Sequence, residues 1–133
     1  MNKKPLILIV DDNVEYRELL TCTLEMHGFQ TMSAKCGREA VELAVEYEPK
    51  LVLMDLNMPC MNGCEATRAI HAHRHGRKIP VIAISADCVD GFERWCFQTG
   101  FVAFLAKPWE EGALLAKVKR VLARRVENKR AAC

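Results

Sequence analysis

The chain has no Cys-x-x-Cys pair, and its seven cysteines are an odd number. Both facts argue against a disulfide framework or a zinc ribbon and favour a reducing compartment, so a cytoplasmic location is expected. Long apolar runs are also missing. Lys3 and Lys4 precede an apolar stretch, but Leu6 to Val10 ends at Asp11 and Asp12. That is too short for a secretory core or a membrane span. Charge of one sign is scarce as well: the net charge is +2, so nothing global demands nucleic acid or an acidic substrate. No internal repeat or low-complexity segment interrupts the chain. The remainder is one domain of ordinary size, 133 residues with half of them apolar, enough to form a core.

The stretch around which the chain is organised is Leu51-Val52-Leu53-Met54-Asp55-Leu56-Asn57-Met58-Pro59. Four apolar residues run into a single carboxylate, and a turn signal follows. A short apolar run of this kind reads as a buried parallel strand. Asp55 then stands where the strand leaves the sheet, and ligands of open α/β sheets bind outside the carboxyl ends of strands.

Strand and helix signals alternate five times. Leu6–Val10 reads as a strand, with Asn13 capping a helix to about His27 that Gly28 ends. Tyr16, Leu19, Leu20, Thr23 and Leu24 are its expected inner positions. Gln30–Ala34 is a second strand, followed by a helix over about 38–47 that buries Ala40, Val41 and Ala44. After the strand 51–54, a third helix is expected over 63–75, a fourth strand over 81–84 ending in Ser85, and a fourth helix over 89–98. A fifth strand spans 102–105 and ends near Lys107-Pro108, and a fifth helix starts near Glu110 with Leu114, Val118, Val121 and Leu122 on one face. Such alternation means βαβ units, a parallel sheet and helices on both of its faces.

The strand ends carry the chemistry. Asp11 and Asp12, Asp55, Ser85 and Lys107 all fall at carboxyl ends, which share one edge of a parallel sheet. Two unit charges about 4 Å apart cost roughly 4 kcal/mol at an effective dielectric near 20. Three carboxylates therefore need compensation, and a divalent cation with Lys107 balances the count. Hard oxygen ligands with room for water suit Mg²⁺. Asp55 is then the candidate nucleophile for an aspartyl phosphate, with Lys107, Ser85 and the metal absorbing the added charge.

These residues, in this order and at this spacing, resemble the receiver domain of two-component response regulators. The resemblance rests on Asp11-Asp12, on Met54-Asp55-Leu56-Asn57-Met58-Pro59 with Asn62-Gly63 behind it, on Ser85-Ala86 and on Lys107-Pro108, and it covers roughly residues 5–123. It implies a single doubly wound (βα)5 domain, flavodoxin-like, with a parallel five-stranded sheet in the order 2-1-3-4-5. The expected layout is a receiver over 1–125 and a basic, disordered tail over 126–133.

The resemblance also implies roles. Asp55 accepts a phosphoryl group from a phosphohistidine on a sensor histidine kinase or a histidine phosphotransfer protein. Asp12, Asp55 and the Asn57 backbone carbonyl ligate Mg²⁺, and Asp11 acts through water. Lys107 pairs with the phosphoryl oxygens, Ser85 draws its loop inward, and Phe104 is the switch aromatic. The Lys107–Pro108 peptide is expected to be cis. Glu93, Phe97, Phe101, Phe104 and Lys117 form the expected face for a downstream target or a second copy, on helix four, strand five and helix five. One departure stands out: Val102 and Ala103 occupy places where acidic residues are common in the family. No output domain follows helix five, so the expected unit is a stand-alone receiver or one cut from a hybrid kinase or longer regulator.

An enzyme of the aspartyl-phosphate phosphatase or phosphotransferase type is the alternative. Those of the haloacid-dehalogenase kind use Asp-x-Asp, whereas the second position here is Asn57, so no enzyme activity beyond the domain's own phosphorylation and dephosphorylation is expected. Direct nucleic-acid contact is not expected either, although residues 117–130 hold seven basic residues and one acidic, because no reading motif accompanies them. Cys60 and Cys64, at Cys-x-x-x-Cys spacing, and His71, His73 and His75 are the remaining clusters. Each reads better as ordinary core or solvated side chains than as a metal or redox site.

Overall fold

The computed structural model describes residues 4–58, 61–86 and 88–132, with side chains described to residue 124. Its elements are β1 (Leu6–Val10), α1 (Val14–Met26), β2 (Gln30–Ala34), α2 (Gly37–Tyr47), β3 (Leu51–Asp55), α3 (Gly63–Ala72), β4 (Val81–Ser85), α4 (Phe92–Thr99), β5 (Ala103–Ala106) and α5 (Glu111–Ala132). All pairings are parallel, in the order β2-β1-β3-β4-β5.

Strand composition explains the order. β3 and β4 are buried along their whole length and are continuously apolar up to their last residue. Strands covered on both faces need such runs, and these take the middle. β2, with Gln30, Thr31 and Ser33, is partly exposed and takes an edge. The period of two divides the interior into layers. Leu8, Val10, Val52, Met54, Val81 and Ala83 pack with Ala40, Ala44, Ala66, Ile70 and Cys96, which places α2, α3 and α4 on one face. Ile7, Ile9, Leu51, Leu53, Ile82 and Ile84 pack with Leu20, Leu24, Leu114, Val118 and Val121, which places α1 and α5 on the other.

Three helix ends differ from the sequence expectation, as does one position inside α1, each with a local cause. α3 stops at Ala72 because His73 turns to extended backbone. His71 and His75 therefore do not share a helix face. α4 begins at Phe92 because Gly91 sits at φ +84°, a left-handed conformation that a helix cannot run through. α5 continues to Ala132, across most of the segment expected to be a tail. Arg, Lys, Glu and Ala are good helix formers, and no Gly or Pro interrupts them. Leu19, expected to face inward, is 51% exposed. Leu20 and Leu24 fill the inner stripe of α1, and Leu19 falls outside it.

Candidate functional site

Strand register builds the site. Val10 is level with Met54, so Asp11 emerges beside Asp55. Asp55 is level with Ile84, so Ser85 lies one residue further out. Ser85 is level with Ala106, and the Lys107 amide donates to the Ser85 carbonyl at 2.9 Å. Thus one sheet edge gathers Asp11, Asp12, Asp55, Ser85 and Lys107, the set expected from the sequence.

Carboxylate oxygens of Asp11, Asp12 and Asp55 lie within 4.8 Å of one another, with Asp11 and Asp55 buried and Asp12 exposed. The Lys107 ammonium is 3.1 Å from Asp11 Oδ2 and 3.5 Å from Asp55 Oδ1. Asp11 Oδ1 accepts from the Asn13 amide at 2.9 Å, and Arg17 donates to the Asp11 carbonyl at 2.7 Å. The Asn57 amide donates to Asp55 Oδ1 at 3.2 Å.

These contacts leave negative charge in excess. Burial and the neighbouring Asp11 carboxylate push the Asp55 pKa from 3.8 up to about 6, while the Asn57 amide and Lys107 hold it back. Three carboxylates facing one lysine in a confined, all-oxygen donor set fit a hard divalent cation. Among the described residues, this is the one group of three or more carboxylate, imidazole or thiol ligands so placed.

Other candidates separate. His71 Nε2 lies 2.9 Å from the Ile79 carbonyl, while His73 stacks on His75 and His75 approaches Glu48, so the three imidazoles do not converge. Cys64 has a free thiol whose pKa is raised by burial, and Cys60 lies outside the described residues. The basic side chains Arg125, Lys129 and Arg130 also lie outside them.

On the face built from α4, β5 and α5, Glu93 and Phe97 are exposed and Lys117 is half-buried. Phe101 corrects the expectation: it is 2% exposed and belongs to the core. Gly100, at φ +113°, ends α4, and the Phe101 amide returns to the Cys96 carbonyl at 2.9 Å, which folds the ring inward. Trp95 lies against it, with ring centroids 6.3 Å apart, and supplies exposed aromatic surface in its place. Phe104 is half-buried, edge-on to Phe92 at 5.3 Å, with the Lys117 ammonium 5.0 Å from its ring centroid.

Two site residues escaped the sequence reading. The Tyr16 ring centroid lies 4.2 Å from the Lys107 ammonium, and the Trp109 ring lies 5.5 Å from Tyr16. The available signal was an aromatic two residues beyond the lysine and another in the first turn after Asn13. The Lys107–Pro108 peptide is cis, as expected.

Known proteins share this arrangement of elements. The family described as response regulator receiver domain matches residues 7–119. Protein PilH of Pseudomonas aeruginosa is 38% identical over 117 residues, which are 88% of this chain and 97% of that protein. The polar-differentiation response regulator DivK of Brucella ovis is 34% identical over 116 residues, 87% of this chain and 94% of that protein. Among solved structures, the receiver domain of sensor histidine kinase PA1611 from Pseudomonas aeruginosa has a TM-score of 0.84 at 30% identity, over 91% of this chain and 99% of that one. Its structure has a magnesium ion coordinated in the active-site cleft. With the five-stranded order, the acidic edge and these relatives in agreement, the chain belongs to the response regulator receiver domains, the phosphoryl-accepting switches of two-component signalling.

Proposed function

We propose that Asp55 is the phosphoryl acceptor and that the donor is a phosphohistidine of a histidine kinase or histidine phosphotransfer protein. One observation carries this reading: Asp55 is buried at the meeting point of Asp11, Asp12 and Lys107, with ligand oxygens within 4.8 Å and the ammonium at 3.5 Å. An Asp55 oxygen attacks phosphorus, the bond from phosphorus to the imidazole nitrogen breaks, and the imidazole departs. Asp12, Asp55 and the Asn57 carbonyl would hold Mg²⁺ directly, and Asp11 would act through water. A bound magnesium ion would offset the charge of the carboxylates and of the incoming phosphoryl oxygens.

Lys107 exchanges its contact with Asp55 for the phosphoryl oxygens, and the Ser85 hydroxyl donates to them. Phe104 then responds to the movement of the Ser85 loop and alters the face made by α4, β5 and α5. That face docks a target protein or a second copy through Glu93, Trp95, Phe97, Phe104 and Lys117. Location in the cytoplasm is part of this reading, supported by five free thiols among the described residues and by no described helix long and apolar enough to cross a membrane. A hydrolytic enzyme is disfavoured because Asn57, two residues after Asp55, has no acid–base carboxyl.

The test is direct. Mg²⁺ and acetyl phosphate should add a single labile phosphoryl group, and Asp55→Asn should abolish it. Equal labelling of both proteins would reject the assignment.

A further inference from the structure

Lys107 has a neighbour besides its two carboxylates. Its ammonium lies 4.2 Å from the centroid of the Tyr16 ring, and its side chain is 12% exposed. The geometry of that ring is fixed from two sides. Tyr16 stands in the first turn of α1, where its amide donates to the capping Asn13 Oδ1 at 3.1 Å. The Trp109 ring, two residues after Lys107 in the chain, lies 5.5 Å away at 42°. Tyr16 and Trp109 are both half-buried, so the pair bridges the start of α1 and the segment after β5 next to the ammonium.

The resting contacts of Lys107 cannot all survive phosphorylation. It is shared between Asp11 Oδ2 at 3.1 Å and Asp55 Oδ1 at 3.5 Å. An aspartyl phosphate moves the negative charge of Asp55 outward onto phosphoryl oxygens, and the ammonium must follow. Lysine sits on a flexible four-carbon stem and has no intrinsic direction. An aromatic face attracts a cation without offering an anionic oxygen that would compete with the phosphoryl group, and the attraction is stronger where water is excluded. The ring can therefore hold the ammonium toward the pocket while its carboxylate contacts change.

We propose that Tyr16 is a positioning residue for Lys107, and that Trp109 props the Tyr16 ring. The inference rests on Asp55 being the acceptor. It predicts that the ring contributes to the rate of phosphoryl transfer through Lys107 alone.

The experiment measures initial phosphorylation rates of the full chain with Mg²⁺ over a range of acetyl phosphate concentrations, each variant being checked by thermal melting. Tyr16→Leu should lower the maximal rate about three- to tenfold, with the half-saturating donor concentration little changed. Tyr16→Phe, which keeps the aromatic face, should restore most of the loss. Trp109→Leu should act in the same direction and more weakly, which provides a second variant if Tyr16→Leu folds poorly. In a Lys107→Met background, followed over longer times, Tyr16→Leu should have no further effect. A wild-type rate for Tyr16→Leu, or the same fractional loss with and without Lys107, would overturn the proposal. Asp55→Asn separates the two levels. Its labelling at the wild-type rate would overturn both readings, whereas its silence beside a wild-type rate for Tyr16→Leu would overturn the positioning role only.

Discussion

Gly63 lies so close to the main chain of Asp55 that a Cβ at position 63 would overlap the Asp55 carbonyl oxygen and come within 2.9 Å of the Leu56 Cα. The requirement is one of space, since Gly63 does not adopt a positive φ. The N-terminus of α3, capped by Asn62 through the Glu65 amide at 3.0 Å, is thereby seated on the segment that leaves β3 with the Asp55 carboxylate.

Gly63→Ala should therefore destabilise the domain and displace Asp55. Its new methyl meets backbone, which cannot swing aside, so a loss of about 1–3 kcal/mol is expected. Gly112→Ala is the control. It lies in the first turn of α5 with nothing within 4 Å of a built Cβ, and it should be neutral or stabilising by up to about 1 kcal/mol. Chemical denaturation of both variants, beside their phosphorylation rates, checks the contrast. Equal effects would show that the contact with Asp55 is not limiting.

The raised pKa of Asp55 predicts a pH dependence for the metal-free protein. The folded carboxyl titrates at about 6, against 3.8 for the ordinary group. Between these values the folded state holds the proton more tightly than the unfolded chain. Stability from this group is therefore full below about pH 4, falls as pH rises through about 6, and stays lower above that. The loss is on the order of 3 kcal/mol, since the difference is about two pH units and each corresponds to about 1.4 kcal/mol. Asp55→Asn removes the charge and keeps an oxygen able to accept from Asn57. In EDTA it should melt higher than wild type at pH 8, with the gap closing towards pH 4. A pH-independent gap would remove Asp55 ionisation as its cause.

Metal binding should reverse the same strain. Mg²⁺ bound at the folded cluster and not to the unfolded chain would raise the melting temperature at saturation. At a hundredfold excess over the dissociation constant the gain is about 2.7 kcal/mol. Asp12→Ala removes the exposed member of the carboxylate group. Its melting temperature should respond little to Mg²⁺, and in EDTA it should equal or exceed that of wild type because one repulsive charge is gone. A wild-type melting curve that ignores Mg²⁺ would contradict the charge balance inferred for the site.

Much of this site was legible because strand ends are encoded locally. An apolar run that stops at Asp11, Asp55 or Ser85 shows both the strand and its exit, and parallel topology then collects those exits at one edge. Gly91 signalled the late start of α4 in the same local way, although its effect was missed. Tyr16 and Trp109 are another matter. Their contact joins α1 to the segment after β5, and no spacing rule pairs residues from distant elements. Tyr16 also fits the inner stripe of α1, so its helical position concealed its place beside Lys107. Phe101 was misplaced because the continuation of a helix face was carried past Gly100, where the left-handed turn redirects the chain into the core.

Phe104 is level with Ala83 in the sheet, and Ala83 and Ser85 share a strand parity, so Ser85 and Phe104 belong to the same side of the sheet. Phe104 now stands edge-on to Phe92 at 84°, with the Lys117 ammonium 5.0 Å from its centroid. If Phe104 turns toward the Ser85 loop it gives up the Lys117 contact, worth roughly 0.5–1 kcal/mol at a partly exposed site. Beryllium fluoride with Mg²⁺, a phosphoryl mimic, should therefore shift NMR signals of Phe92, Phe97, Phe104 and Lys117 as well as those beside Asp55. Phe101, anchored in the core, should move less. Lys117→Met should raise the inward population before any mimic is added, by about two- to fivefold on that energy. If Phe104 keeps one rotamer with and without the mimic, and Lys117→Met leaves it unchanged, the aromatic does not carry the signal and phosphorylation is confined to the pocket.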